Sequence, residues 1–251
     1  MDTHTVAADA ITKAKAELAA AHRIATIHEL DEGIDNHFTV TVPGRDGQYL
    51  VLPFGIHWSE AKASDLFVFD EQGRTLEGRG HVELSARCIH APIHRITGKR
   101  VVMHTHQTWA LALNMLKDNR LLPATQTAAF FAGQIAYDDT YKGTADTLEE
   151  GERLAALMGD KDIVFMKNHG ILCAGNTVAE AYRRLYKMER VCRTQVLALS
   201  TGKELNILSE EVVAAVLAPA PEESHSREER ERLFFEAMMR LLDRELPGYR
   251  D

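Results

Sequence analysis

Lys99-Arg100-Val101-Val102-Met103-His104-Thr105-His106 decides the reading of this chain. Val101 to Met103 reads as a buried strand. Residues two apart on a strand point the same way, so the imidazoles of His104 and His106 aim at one point. Imidazole is the commonest nitrogen donor for zinc, and a catalytic zinc keeps one position open beside its protein ligands. A third donor follows a second apolar run: Asp162-Ile163-Val164-Phe165-Met166 leads into Asn168-His169-Gly170. Gly170 is expected to let the backbone turn closely around an ion. A His-x-His pair recurs by chance, but two strand-end sites of one design point to a divalent metal.

The rest of the composition narrows the class. The chain has 251 residues, 45% of them hydrophobic, with a formal net charge of -8. That suffices for one large core and argues against a nucleic-acid surface, which normally carries a basic patch. Cys88, Cys173 and Cys192 are odd in number and widely spaced, neither a disulfide framework nor a zinc ribbon, and suit a reducing cytoplasm. Met1-Asp2-Thr3-His4 does not open a leader, and no apolar run approaches the roughly 18 residues of a membrane span. The expectation is a cytoplasmic protein with no membrane and no nucleic-acid partner.

Ala7 to Ala25 has apolar residues at helical spacing. Phe38 to Val42 alternates, Pro43-Gly44 breaks it and Tyr49 to Leu52 resumes it, which predicts a hairpin; Leu66 to Phe69 and Thr75 to Glu77 predict another. Four strands thus precede the His pair and two more carry the site. Thr147-Leu148-Glu149-Glu150, Thr177-Val178-Ala179-Glu180 and Ser226-Arg227-Glu228-Glu229 match the capping box, whose hydroxyl and carboxylate both take up free helix-start amides. The second opens a helix to about Ser200 with Gly202 as its stop. The third opens a final helix set off by Ala218-Pro219-Ala220-Pro221, giving units 1–217 and 218–251.

Pro53-Phe54-Gly55-Ile56-His57-Trp58-Ser59-Glu60, Ala63-Ser64-Asp65-Leu66, Leu76-Glu77-Gly78, Ile89-His90-Ala91-Pro92-Ile93-His94-Arg95, His104-Thr105-His106, Asp162 to Gly170 and Thr177 to Ala181 follow one another in an order that resembles the class II aldolase and adducin head-domain family. The likeness covers about residues 15 to 202 and is nearer the bacterial, adducin-like branch than the sugar-phosphate aldolases. It implies a three-layer α/β/α fold with a central, largely antiparallel sheet, and a homotetramer with sites at subunit interfaces. It also implies a divalent ion, usually Zn2+, on His104, His106 and His169; Fe2+, Mn2+ or Co2+ are alternatives. Family aldolases add a Glu as acid/base. Glu83 is the match here, although counting from His90 places that Glu nearer Ala86. The family's phosphate-holding Gly-Asn-x-Ser loop reads Gly33 to Thr39 here and its Ser-Ser pair is missing, so only Asn36 and Thr39 remain as contacts and a sugar phosphate is not expected.

Retro-aldol cleavage needs a Lewis acid on the hydroxyl and carbonyl oxygens and a base of tuned pKa; decarboxylation leaves a similar anion. Glu83 follows Gly80-His81-Val82, a loop able to approach the ion; its alternative is a surface carboxylate at a strand-to-helix junction. His90 and His94 lie four apart on a helix, either a second metal pair or, as Ile89 and Ile93 suggest, packed groups. His37 and His57 are expected either to reach the pocket from neighbouring loops or to make satisfied polar contacts, the commoner role. The resemblance places Tyr137 and Tyr141 in a segment that faces substrate from an adjacent subunit, where either protonates a leaving group or caps the sheet through its hydroxyl. The expected function is a metal-dependent lyase acting on a small hydroxy-carbonyl substrate. The alternatives are a non-heme iron oxygenase on the same three histidines and a non-catalytic adducin-like assembly domain, which the complete His set disfavours.

Overall fold

The described residues form eight short strands and eight α-helices: α1 (Thr3–Ile27), β1 (His37–Thr41), β2 (Gln48–Val51), β3 (Phe67–Asp70), β4 (Thr75–Glu77), α2 (Leu84–Thr97), β5 (Val101–Thr105), α3 (Thr108–Asn114), α4 (Gln126–Ala129), β6 (Ile135–Asp138), α5 (Leu148–Met158), β7 (Ile163–Met166), β8 (Gly170–Gly175), α6 (Val178–Leu199), α7 (Glu210–Leu217) and α8 (Arg227–Glu245). The computed structural model describes residues 3–219 and 225–251. Met1-Asp2, part of the start read above, and Ala220-Pro221 of the connection before the last helix lie outside the described residues.

One sheet in the order β4-β3-β2-β1-β5-β8-β7-β6 forms the middle layer. Every pairing is antiparallel except β6 with β7. That parallel pair needs a crossover, which α5 supplies. Alternation along β5 sorts the two faces. Val101 and Met103 join Leu18, Ile24, Phe38, Leu185 and Met188 in the larger core, while Val102 joins Ile89, Ile93, Leu154 and Met158 on the opposite face. A fully buried aliphatic side chain of this kind contributes about 1.5–3 kcal/mol. The three-layer α/β/α reading therefore holds.

Several expectations are corrected. Eight strands replace the predicted six: β8 is buried at all six positions, so it shows no alternation, and β6 is a four-residue edge strand. In the capping boxes the hydroxyl half forms at Thr147, Thr177 and Ser226, but the carboxylates go elsewhere, Glu150 to Arg153 and Glu180 to the Asn176 N–H. The last helix is not set apart from the core. Phe235, Leu242 and Tyr249 are buried in it, and the backbone of Tyr249 and Asp251 bonds Ala63 and Ser64. No helix among the described residues is long and apolar enough to cross a membrane.

Candidate metal centre

The pairing of β5 between β1 and β8 delivers three imidazoles to one place. His104 ends β5, His106 lies just beyond it, and His169 sits in the turn between β7 and β8. Ring centroids are 4.9, 4.9 and 5.0 Å apart, and one ligand atom from each lies within 4.8 Å of the others. The turn is held from below by the buried Asn114, whose amide donates to the carbonyls of Met166 and Gly170. Asn168 takes the left-handed conformation at φ 60°. Gly170 is therefore not the residue that makes the turn possible, as the sequence suggested. Its role is close approach: a Cβ there would lie 2.5 Å from the Thr105 carbonyl oxygen and 2.8 Å from the His106 ring.

Proton bookkeeping shows which nitrogens face the centre. His104 Nδ1–H donates to the Ile171 carbonyl at 3.0 Å, and His106 Nδ1–H donates to the Glu32 carboxylate. Both Nε2 atoms then present lone pairs, and they face each other at 3.1 Å. A tetrahedral ion with bonds of about 2.0–2.1 Å sets donors roughly 3.3 Å apart, which the His104–His106 pair meets, with a His169 nitrogen within 4.8 Å of both. Outer partners of this kind fix ligand orientation and raise basicity. Burial, then the neighbouring histidines, holds His104 well below its ordinary pKa; burial and His106 lower His169 to about 4 against the pull of Asp138 and Glu150. Neutral imidazoles are what a cation requires. Glu32 is a partner that sequence reasoning missed; its only signal was an acid in the Glu32-Gly33-Ile34-Asp35-Asn36 loop.

The other expected residues divide. Asn36, at φ 91°, accepts the His106 N–H through its Oδ1 while its buried amide nitrogen has no partner. That leaves both N–H donors of the Asn36 amide free beside His106. His37 pairs with His104 across β1 and β5, with rings 5.1 Å apart. It lines a small cavity with Asn36 and Glu83. Glu83 precedes α2, and its Oε1 lies 2.7 Å from Ser85 Oγ, which is 3.2 Å from His37 Nε2. Ala86, the alternative position, is a buried alanine in that cavity wall. Thr39 departs from expectation: it is fully buried, and its hydroxyl lies 2.7 Å from both His90 and His94, so it faces α2 and not a substrate. His90 and His94 are packed groups, not a metal pair. His57 caps the short turn at Trp58–Glu60. Tyr137 accepts the Leu121 N–H under the Arg120 guanidinium, and Tyr141 is 55% exposed. Among the described residues neither tyrosine bonds or stacks with the three histidines of its own chain.

Comparison with known proteins agrees with this geometry. Residues 16–196 match the family model of the class II aldolase and adducin N-terminal domain. A Caulobacter vibrioides protein, whose name assigns it provisionally to aldolase class 2, is 33% identical over 95% of this chain and 92% of its own. The decarboxylase NovR of Streptomyces niveus is 29% identical over 80% of this chain and 77% of its own. An aldolase II superfamily protein from Pseudomonas syringae superposes with a TM-score of 0.88 at 33% identity, covering 96% of each chain. The L-fuculose 1-phosphate aldolase of Glaciozyma antarctica superposes at 0.81 with 25% identity, over 96% of this chain and 92% of that one. With the model spanning most of the chain, and the three imidazoles converging within that span, the protein belongs to the class II aldolase and adducin N-terminal domain family.

Proposed function

We propose that this protein is a metal-dependent lyase that cleaves or forms a carbon–carbon bond in a small hydroxy-carbonyl compound. The observation that supports this is the convergence of His104, His106 and His169, with the Nε2 atoms of the first two turned toward the centre. Zinc is the proposed ion; Fe2+, Mn2+ and Co2+ suit the same donors. When bound, the ion supplies Lewis-acid polarisation of the substrate's hydroxyl and carbonyl oxygens. Asn36 donates its unpartnered amide N–H to a substrate oxygen. Glu83 takes the hydroxyl proton and returns it to carbon, and His37 holds the site wall through His104 and Ser85. The buried Thr39 removes one of the two phosphate contacts the sequence offered, which supports a substrate without a phosphate.

Decarboxylation of a related acid is the second reading, favoured by the likeness to the decarboxylase NovR; it leaves a similar carbanion. We further propose a homotetramer in which the exposed Tyr141, rather than the engaged Tyr137, reaches a neighbouring site. On α8, Phe235 and Leu242 are buried within the chain while Leu233 is exposed, and the tetramer is proposed from the family.

The test is anaerobic and aerobic turnover of a panel of hydroxy-acids and ketoses by zinc-, manganese- and iron-loaded protein, with light scattering on the same samples. Expected are aldehyde or carbon dioxide release that needs metal but no oxygen, from a tetramer. Glu83→Gln should keep the metal and lose roughly 10²–10⁴-fold in rate. An oxygen requirement would favour the oxygenase, and full metal occupancy without turnover would favour an assembly domain.

A further inference from the structure

Behind Glu83 a line of side chains crosses the layer between β1 and α2. Strand positions 37, 39 and 41 advance about 6.8 Å per pair of residues and helix positions 90 and 94 about 6 Å, so the two rows interdigitate. The contacts are Glu83 Oε1 to Ser85 Oγ at 2.7 Å, Ser85 Oγ to His37 Nε2 at 3.2 Å, and His37 Nδ1 to His90 Nε2 at 2.7 Å. They continue from His90 Nδ1 to Thr39 Oγ1 at 2.7 Å, Thr39 Oγ1 to His94 Nε2 at 2.7 Å, and His94 Nδ1 to the Lys99 carbonyl at 2.6 Å. His37, Thr39, His90 and His94 are each at most 5% exposed. The far end opens on a second cleft lined by Thr41, Tyr49, Lys99 and Arg100.

Counting hydrogens along this line gives two complete arrays, which differ in whether Ser85 donates to His37 or to the Glu83 carboxylate. A carbonyl only accepts, so His94 carries its proton on Nδ1, and a neutral ring then accepts at Nε2. Thr39 therefore donates to His94 and accepts from His90 Nδ1–H; His90 Nε2 accepts from His37 Nδ1–H; and His37 Nε2 accepts from Ser85. Ser85 has spent its one hydrogen. Its contact with Glu83 is then a bond only if the carboxyl brings a proton of its own. The reverse array, with Ser85 donating to an ionised Glu83 and both His37 and His90 protonated on Nε2, is complete only if His94 holds two protons. Both arrays contain the same number of hydrogens and differ by five hops.

We propose that this line is a proton conduit that loads and unloads Glu83 through the back of the site, with Thr39, His90 and His94 as positioning residues for its proton. The inference rests on Glu83 being the acid/base. In the outward direction the Glu83 proton passes to Ser85 as the Ser85 proton passes to His37 Nε2. The His37 Nδ1 proton passes to His90 Nε2, the His90 Nδ1 proton to Thr39, and the Thr39 proton to His94 Nε2. His94 then sheds its Nδ1 proton to water in the cleft, and the Thr41 hydroxyl, 3.4 Å away, is placed to donate to the vacated nitrogen. No intermediate ring in the line gains or loses net charge. A purely structural network does not need a group that both donates and accepts at every link. Burial holds His94 to about 4 and His90 well below its ordinary range, so both rings rest neutral. Tyr49 stacks on His94 from β2, Thr39 and Thr41 face it from β1, and Asp46, Glu71, Arg95, Lys99 and Arg100 line its cleft; His22 and His37 share the Glu83 cavity.

The test uses zinc-loaded full-length protein with nitrogen-labelled histidine, reading ring tautomers by NMR and the Glu83 carboxyl by infrared difference against Glu83→Gln. While Glu83 is protonated, His37, His90 and His94 should all carry hydrogen on Nδ1. On raising the pH, loss of the carboxyl band and the change of His37 and His90 to the Nε2–H form should share one midpoint. Thr39→Val should separate the two midpoints and Thr39→Ser should rejoin them. An Nε2–H ring while Glu83 is protonated, separate midpoints in the unaltered protein, or tautomers that never change would each overturn the conduit. Full turnover in Glu83→Gln would remove the acid/base reading and with it the conduit's catalytic role, whereas separate midpoints with turnover lost in Glu83→Gln would overturn the conduit alone.

Discussion

Gly170→Ala probes the geometry of the site without touching a ligand. The added Cβ would sit 2.5 Å from the Thr105 carbonyl oxygen, 2.8 Å from His106 Cδ2 and 3.1 Å from His104 Cε1. Real Cβ contacts essentially never fall below 3.0 Å, so β8 must retreat from β5 by about 0.5 Å or the His106 ring must turn out of the centre. Overpacking of this kind costs about 1–3 kcal/mol, which for a chain of this size lowers Tm by roughly 2–10 °C. Because the displaced ring is one of the three proposed ligands, zinc affinity should fall together with stability, by about ten-fold or more. Urea denaturation of metal-free protein gives the first number and competition with a chelating dye the second. Gly151→Ala is the control: its Cβ would meet the Cys88 carbonyl at 1.8 Å where α5 crosses α2, so it should lose stability while the folded fraction keeps its zinc affinity. A Gly170→Ala protein within about 0.5 kcal/mol of the parent and equal to it in zinc affinity would refute the reasoning.

Glu32→Gln should weaken zinc binding by about 10–100-fold, because the amide no longer offers His106 a charged acceptor; an unchanged dissociation constant in the dye competition would remove Glu32 from the site. His22 is fully buried, and burial lowers it to about 4 while its Nδ1–H donates to the Leu18 carbonyl. Its folded pKa lies below its unfolded one, so between about pH 6.5 and 4 the unfolded chain binds a proton that the folded chain does not. Stability should therefore fall as pH drops through that window, and His22→Gln should make the slope shallower by up to about 1.4 kcal/mol per pH unit. Equal slopes in urea titrations at pH 6 and 5 would contradict the assignment.

The convergence of the three histidines was legible because it rests on the simplest periodicity: the β5 alternation carries on to put His104 and His106 on one side, and the apolar run before His169 announces a second strand end. Thr177 and Ser226 were legible as helix starts because a hydroxyl cap is a local interaction. β8 was not, since a strand buried on both faces carries no alternation and Gly170 looked like a turn. Thr39 looked like a substrate contact because its neighbours did; only the pairing of β1 with β5, which turns positions 37, 39 and 41 toward α2, shows where its hydroxyl goes. Glu32 and Asn114 act on the site through contacts 74 and 52–56 residues away in sequence, a separation at which no local pattern speaks.

X-ray absorption at the zinc edge, on protein loaded to its equilibrium stoichiometry, tests the central claim most directly. The account predicts one zinc per chain with three imidazole nitrogens at about 2.0–2.1 Å and an oxygen completing the shell. The same spectrum should lose one imidazole in His104→Ala, His106→Ala or His169→Ala, with occupancy falling sharply. A zinc bound with unchanged stoichiometry in all three variants, or a parent spectrum with fewer than three imidazoles or with sulfur, would contradict it.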